Sequence, residues 1–255
     1  QSLYFGNQMN YIRAGLKLGL DVSKYSDCRL SSEQMYEIRA GLVQRLDVNI
    51  FNSYLFNPNQ MREIRLGLKE GIDASIYANP KFCSDKMREI KLGLIDRVDV
   101  IKYIDLKYSS EQMKEIRLGL KSFINTDFYS DVEYDASQMK IIRLGILDGV
   151  NIFSYNNLDL NGFQMNEIRL GLIDKIDTSQ YRNPKYSHLQ MKEIRLGLKD
   201  KLNISVYLNE NLSLIAMQSI RRDLKNRLFS RKKYFIQNKN TLLYDIIKEE
   251  YKKNN

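Results

Sequence analysis

The sequence predicts an all-α protein: an α-solenoid of nine 26-residue helix–short-helix repeats with a C-terminal capping helix. Three observations predict it. All nine methionines stand 26 residues apart, at Met9, Met35, Met61, Met87, Met113, Met139, Met165, Met191 and Met217. Other columns keep the same step. Arginine recurs at Arg13, Arg39, Arg65, Arg117, Arg143, Arg169, Arg195 and Arg221, with Lys91 in the one gap. Glycine recurs at Gly15, Gly41, Gly67, Gly93, Gly119, Gly145, Gly171 and Gly197, and an aromatic at Tyr25, Phe51, Tyr77, Tyr103, Tyr129, Tyr155, Tyr181 and Tyr207. Each full period also carries two helix-start signatures. A fixed period of this length marks stacked supersecondary units that bury their apolar faces on one another.

The long helix comes first. Four residues before each Met stands an N-cap type, at Ser31, Asn57, Ser109, Asp135, Asn161, Ser187 and Ser213, with Phe5 and Cys83 as exceptions. Gln34, Gln60, Gln112, Gln138, Gln164 and Gln190 follow three residues later and complete a capping box. Pro58 occupies the first helical position, where proline is favoured. An apolar residue before each cap (Tyr4, Leu30, Phe56, Phe82, Tyr108, Tyr134, Leu160, Tyr186, Leu212) is placed to staple onto the Met. The helix spans about 13 residues.

The second start has Asp21, Asp47, Asp73, Asp99, Asn125, Asn151, Asp177 and Asn203 as N-caps, with the aromatic column four residues on as a second staple. Little chain remains before the next cap, so this helix makes one or two turns. Asn79-Pro80 and Asn183-Pro184 end it. No strand pattern competes. The array covers residues 1–228. Residues 229–255 read as a basic linker and a capping helix from Thr241, with Leu242, Leu243, Ile246, Ile247 and Tyr251 on its apolar face.

Mapping the long helix at 100° per residue puts Met35, Ile38, Leu42 and Leu46 on one apolar stripe, so the methionines are core. Mid-helix glycine costs about 1 kcal/mol against alanine. Its recurrence here predicts close approach of a neighbouring backbone, with a kink as the alternative. Arginine lies on the shoulder of the stripe. The acid two residues earlier (Glu37, Glu63, Glu89, Glu115, Glu167, Glu193) points to the opposite side of the same helix. Two readings follow: a structural Glu–Arg ladder between adjacent units, or a row of guanidinium groups offered to phosphates or carboxylates. Arg13, Arg143 and Arg221 persist where the local acid is Tyr11, Ile141 or Ser219, which favours the second reading. The residue after Met is often basic too, and could extend the row.

The candidate partner-binding residues are therefore Arg39, Arg62, Arg65, Arg88, Lys114, Arg117, Lys140, Arg143, Lys192, Arg195 and Arg221. Arg222, Arg227, Arg231, Lys232 and Lys233 join them from the C-terminal segment. Net charge is +9 over 255 residues, of which residues 219–255 hold +7 (eleven Lys/Arg less four Asp/Glu). Nothing points to catalysis: His188 is the sole histidine, read as an exposed first-turn residue, and no P-loop, dinucleotide fingerprint or metal-ligand spacing occurs. Cys28 and Cys83 sit at unrelated repeat positions, which argues against disulfide or zinc and for a reducing interior. No apolar run approaches a membrane span. The chain opens at Gln1 without an initiator methionine, which leaves open whether upstream sequence is missing.

The strings QMREIRLGLKEGIDASIYANPKF at 60–82 and QMKEIRLGLKDKLNISVY at 190–207 resemble the QMxEIRxGL-type helical repeat arrays of low-GC bacteria, phages and mobile elements. The resemblance covers nearly all of residues 4–228. It implies a bacterial or phage origin and brings no activity or binding residues. The expected function is non-enzymatic binding of another macromolecule in the cytoplasm. Protein comes first, as an adaptor or inhibitor; nucleic acid, RNA before DNA, is the alternative. Neither cofactor, membrane nor small-molecule substrate is expected.

Overall fold

A computed structural model describes residues 4–230, and among them only helices, turns and bends occur. The long helices are α1 (Gly6–Lys17), α2 (Ser32–Val43), α3 (Pro58–Lys69), α4 (Ser84–Ile95), α5 (Ser110–Lys121), α6 (Ala136–Leu147), α7 (Gly162–Ile173) and α8 (His188–Lys199). A single 3-10 turn follows each, from Val22–Lys24 through Ile204–Val206. The second element of every repeat is thus as short as the residue count demanded. The last helix, α9, covers 214–230 and does not break where its predecessors do. It passes residue 228, the expected end of the array, still helical. The expected capping helix, Arg231, Lys232 and Lys233 lie outside the described residues.

The chain forms two compact units, Gln1–Met139 and Lys140–Asn255. Within the first, α1 packs on α2, α2 on α3, α3 on α4 and α4 on α5; within the second, α7 packs on α8. The core is the methionine and isoleucine stripe. Met35, Met61, Met87, Met113, Met139, Met165, Met191 and Met217 are wholly buried, as are Ile38, Ile64, Ile90, Ile116, Ile168 and Ile194. The pre-cap residues Leu30, Phe56, Phe82, Tyr108, Leu160 and Tyr186 are buried beside them.

Each turn of chain is fixed by local chemistry. The Ser, Asn or Asp caps accept the backbone N–H of the glutamine, as in Ser31 from Gln34 at 3.2 Å and Asn57 from Gln60 at 3.0 Å. Asp47 and its equivalents accept the N–H two residues on and start the 3-10 turn. A third capped turn begins at Asp27, Asn79, Asp105, Asp131, Asn157, Asn183 and Asn209, each again accepting an N–H two residues ahead. Asn79-Pro80 and Asn183-Pro184 open this third turn. Helix ends are uniform as well. The residue two beyond the last helical one is left-handed, at Gly19, Arg45, Gly71, Arg97, Phe123, Gly149, Lys175 and Lys201. The N–H of the following apolar residue then returns to the carbonyl of the column glycine, as in Leu46 to Gly41 at 3.0 Å. The ninth unit has Arg227 at this position, inside a helix that continues.

The glycine column has a different cause from the one expected. No neighbouring backbone presses on it. The aromatic of the same repeat folds back over it instead. A methyl carbon placed at Gly93 would stand 1.7 Å from Tyr103 Oη, and one at Gly119 would stand 1.7 Å from Tyr129 Oη. Tyr103 Oη donates to the Glu89 carbonyl at 3.2 Å, one helical turn before the glycine, and Tyr77 repeats this to Glu63. Burial first of all raises the phenols of Tyr25, Tyr77, Tyr103, Tyr155 and Tyr181 above their ordinary value, and that of Tyr207 to about 12. They remain protonated donors at neutral pH.

Candidate partner-binding surface

The arginine column stands between helices. Arg65 Nε meets Glu37 at 2.7 Å, Lys91 Nζ meets Glu63 at 2.9 Å, and Arg117 Nε meets Glu89 at 2.9 Å. Arg195 Nε meets Glu167 at 2.9 Å and Arg221 Nε meets Glu193 at 2.6 Å. Each acid lies on one helix and each base on the next, 28 residues along. The structural ladder therefore occupies the groups that the alternative would offer to phosphate. Arg221 persists beside Ser219 for a geometric reason. Its partner is Glu193 of the preceding repeat, so a Ser219 in its own repeat removes nothing.

A second acid reinforces several rungs. Asp96, at the end of α4, takes Arg117 Nη1 at 2.7 Å and Lys121 at 2.6 Å. Burial pushes the Asp96 carboxyl up, but Lys121 and Arg117 hold it below the usual aspartate value. Asp174 takes Arg195 at 3.3 Å and Lys199 at 2.7 Å. Arg169, whose preceding-repeat position is Ile141, turns to Asp148 and Asn166. Arg143 is buried. Arg39 is set apart: its counterpart is Tyr11, and its guanidinium carbon sits 5.5 Å from the centre of that ring.

Between helices the glutamines do more than capping chemistry requires. Gln112 Oε1 accepts the Ser109 N–H at 2.7 Å, while Nε2 donates to Val132 O at 3.0 Å and Tyr134 O at 2.7 Å in the next repeat. Gln34, Gln60, Gln164 and Gln190 make the same bridge. In α4, where Cys83 replaces the cap, Lys86 stands in the glutamine column and donates to Leu106 O at 2.7 Å.

The exposed face of the long helices carries the other basic candidates. In the first unit Arg62, Arg88 and Lys114 are exposed at one register position of α3, α4 and α5. Three residues earlier on this face stand Asn59, Asp85 and Glu111, and Arg88 pairs with Asp85 at 3.0 Å. The surface is of mixed sign. Lys140 and Lys192 are exposed in the second unit, with half-buried Asn166 between them in the column; Arg222 and Arg227 are exposed on α9.

The position that is Asn59, Asp85 and Glu111 in the first unit becomes Phe163, Leu189 and Ile215 in the second. These are 67%, 41% and 78% exposed on consecutive helices. Sequence reasoning missed this stripe because it followed basic columns and treated the first turn only as capping. The signal was an apolar residue replacing a polar one at one register in three successive repeats. His188 is half-buried, with its ring 5.1 Å from Phe163, and is less exposed than expected.

Cys28 and Cys83 are free thiols, and no group of three His, Cys, Asp or Glu side chains able to hold a metal occurs among the described residues. No described helix is long and apolar enough to cross a membrane. No protein-family model, curated protein or solved structure matches the chain.

Proposed function

We propose that the protein is a non-enzymatic protein-binding array, an adaptor or inhibitor whose contact surface is the outer face of its long helices. The observation that carries this reading is the Phe163, Leu189, Ile215 stripe. Large apolar side chains exposed in register on adjacent helices mark a protein contact more than a phosphate track. The engagement of the arginine column in ion pairs supports the same choice. We place the protein in the cytoplasm of a low-GC bacterium, phage or mobile element, a reading that rests on the sequence resemblance and on the cysteine usage.

Nucleic acid is the second reading, favoured by the exposed Arg62, Arg88 and Lys114 on successive helices. The two separate experimentally. The protein reading expects affinity capture from the source cell to return one stoichiometric protein, lost when Phe163, Leu189 and Ile215 are each changed to Glu in a protein that keeps its helical spectrum. The nucleic-acid reading expects retention on heparin and labelled RNA with a steep fall in affinity as salt rises. Retention of that kind, abolished by charge reversal at Arg62, Arg88, Lys114 and Lys140 and untouched by the Glu series, would overturn the protein reading.

A further inference from the structure

In five rungs of the ladder the arginine or lysine holds a glutamate from the preceding helix at 2.6 to 2.9 Å. Arg39 occupies the same place in α2, but α1 supplies Tyr11 where the glutamate belongs. Arg39 Nε is buried and has no hydrogen-bond partner, and its guanidinium makes no ion pair among the described residues. A buried donor of a charged group left unmatched loses the hydration it had in water and gains nothing in return. Beside it, between α1 and α2, opens a cavity of about 450 Å³ lined by Asn7, Asn10, Tyr11, Ser32, Glu33 and Arg39. The walls are mainly polar, with Ala14 and the Tyr11 ring as the apolar part, and that ring packs edge-on against Tyr36 at 6.0 Å. An adjoining cavity of about 430 Å³ shares Asn7 and Ser32 and reaches Arg29, so the groove extends along both helices.

We propose that this groove is a binding site for a ligand carboxylate, which displaces the side-chain cover over Arg39 Nε and takes the place that glutamate fills in the five rungs. The position accepts a planar carboxylate in five rungs of the ladder, and the asparagine amides of α1 offer further donors. A phosphate dianion fits less well, because Glu33 lines the same cavity. Its carboxyl is held below the usual glutamate value by its own backbone N–H and by the Ser31 and Ser32 hydroxyls, and so carries its charge at neutral pH. The carboxylate comes either from a small free acid or from an acidic side chain of a peptide. The site stands independently of what binds the outer face of the helices.

The test is the Nε–Hε NMR signal of Arg39 in the full chain, assigned with Arg39→Gln and titrated at constant ionic strength. The probes are sodium acetate, a blocked tetraglutamate peptide and inorganic phosphate. The proposal expects a saturable shift with both carboxylates and a weaker one with phosphate. Saturation by the peptide at lower concentration per carboxylate assigns the source to acidic side chains; equal saturation assigns it to small acids. Tyr11→Glu rebuilds the missing rung. It should raise the melting temperature and weaken carboxylate binding roughly tenfold or more, since a tethered acid outcompetes a free one. Carboxylate-induced thermal stabilisation, present in the parent and lost in Arg39→Gln, gives a second readout should Tyr11→Glu not fold. No saturable shift with either carboxylate, phosphate binding as tightly, or Tyr11→Glu binding like the parent would overturn the proposal.

Discussion

At the residue scale, the repeat turns on one pair: a glycine in the middle of the long helix and a tyrosine hydroxyl that lies on it. Alanine at a helical glycine normally gains about 1 kcal/mol. At Gly93 its methyl would stand 1.7 Å from Tyr103 Oη and 2.9 Å from Val100 Cγ1. Overpacking of this kind costs about 1–3 kcal/mol, so Gly93→Ala should destabilise the protein by about that amount in urea denaturation. Tyr103→Phe in the same background should recover part of the loss. The second repeat already carries that solution, with Phe51 over Gly41 and its ring carbon 2.9 Å from where an alanine methyl would stand. A neutral or stabilising Gly93→Ala would show that the tyrosine is not what keeps the glycine. The left-handed column tells a related story. Arg45, Arg97, Phe123, Lys175 and Lys201 adopt a conformation suited to glycine, at φ of 57 to 58°. Phe123 is also 98% exposed, and no packing accounts for an aromatic there.

At the element scale, adjacent helices are joined by a glutamine that serves both. A capping box accepts Glu or Gln alike, since only the side-chain oxygen is used. The bridge to the next repeat needs the amide N–H group as well. This separates two expectations for Gln112. If it served the box alone, Gln112→Glu would be tolerated. Because Nε2 also donates to Val132 and Tyr134, Gln112→Glu should lose nearly as much stability as Gln112→Ala, about 2–3 kcal/mol for the bonds lost and carbonyls stranded. Equal stability of Gln112→Glu and the parent, by chemical denaturation, would remove the bridge from the account. The sequence held this information: the column reads Gln or Lys86 through eight repeats and never Glu. Caps, staples and the methionine core were legible because they depend on residues close in the chain. The third capped turn was legible in the same way, as an Asp/Asn/Ser column, but Asn79-Pro80 was read as an ending. The glycine's true neighbour was not legible. Helical projection places a residue on a face of its own helix, and the tyrosine returns from the following turn.

At the scale of the whole chain, repetition sets five rungs of the ladder by the identity of two residues 28 apart. Charged pairs this buried do not stabilise strongly against apolar replacements, but losing one member leaves a charge without compensation and costs about 3–5 kcal/mol. The ladder therefore specifies which helix face meets which neighbour. Exceptions show the rule: where Ile141 replaces the acid, Arg169 finds Asp148, and where Tyr11 replaces it, Arg39 is left beside an open groove. Five rungs of the arginine column, three in the first unit and two in the second, couple a repeat to the one before it, and these side chains are not a surface for ligands. A double-mutant cycle on Glu89→Gln and Arg117→Gln, followed by urea denaturation, tests this coupling most directly. The pair is only 12% and 9% exposed. The ladder predicts that each single change costs several kcal/mol and that the two couple by about 1–3 kcal/mol. Single changes without effect on stability and a coupling indistinguishable from zero would contradict it.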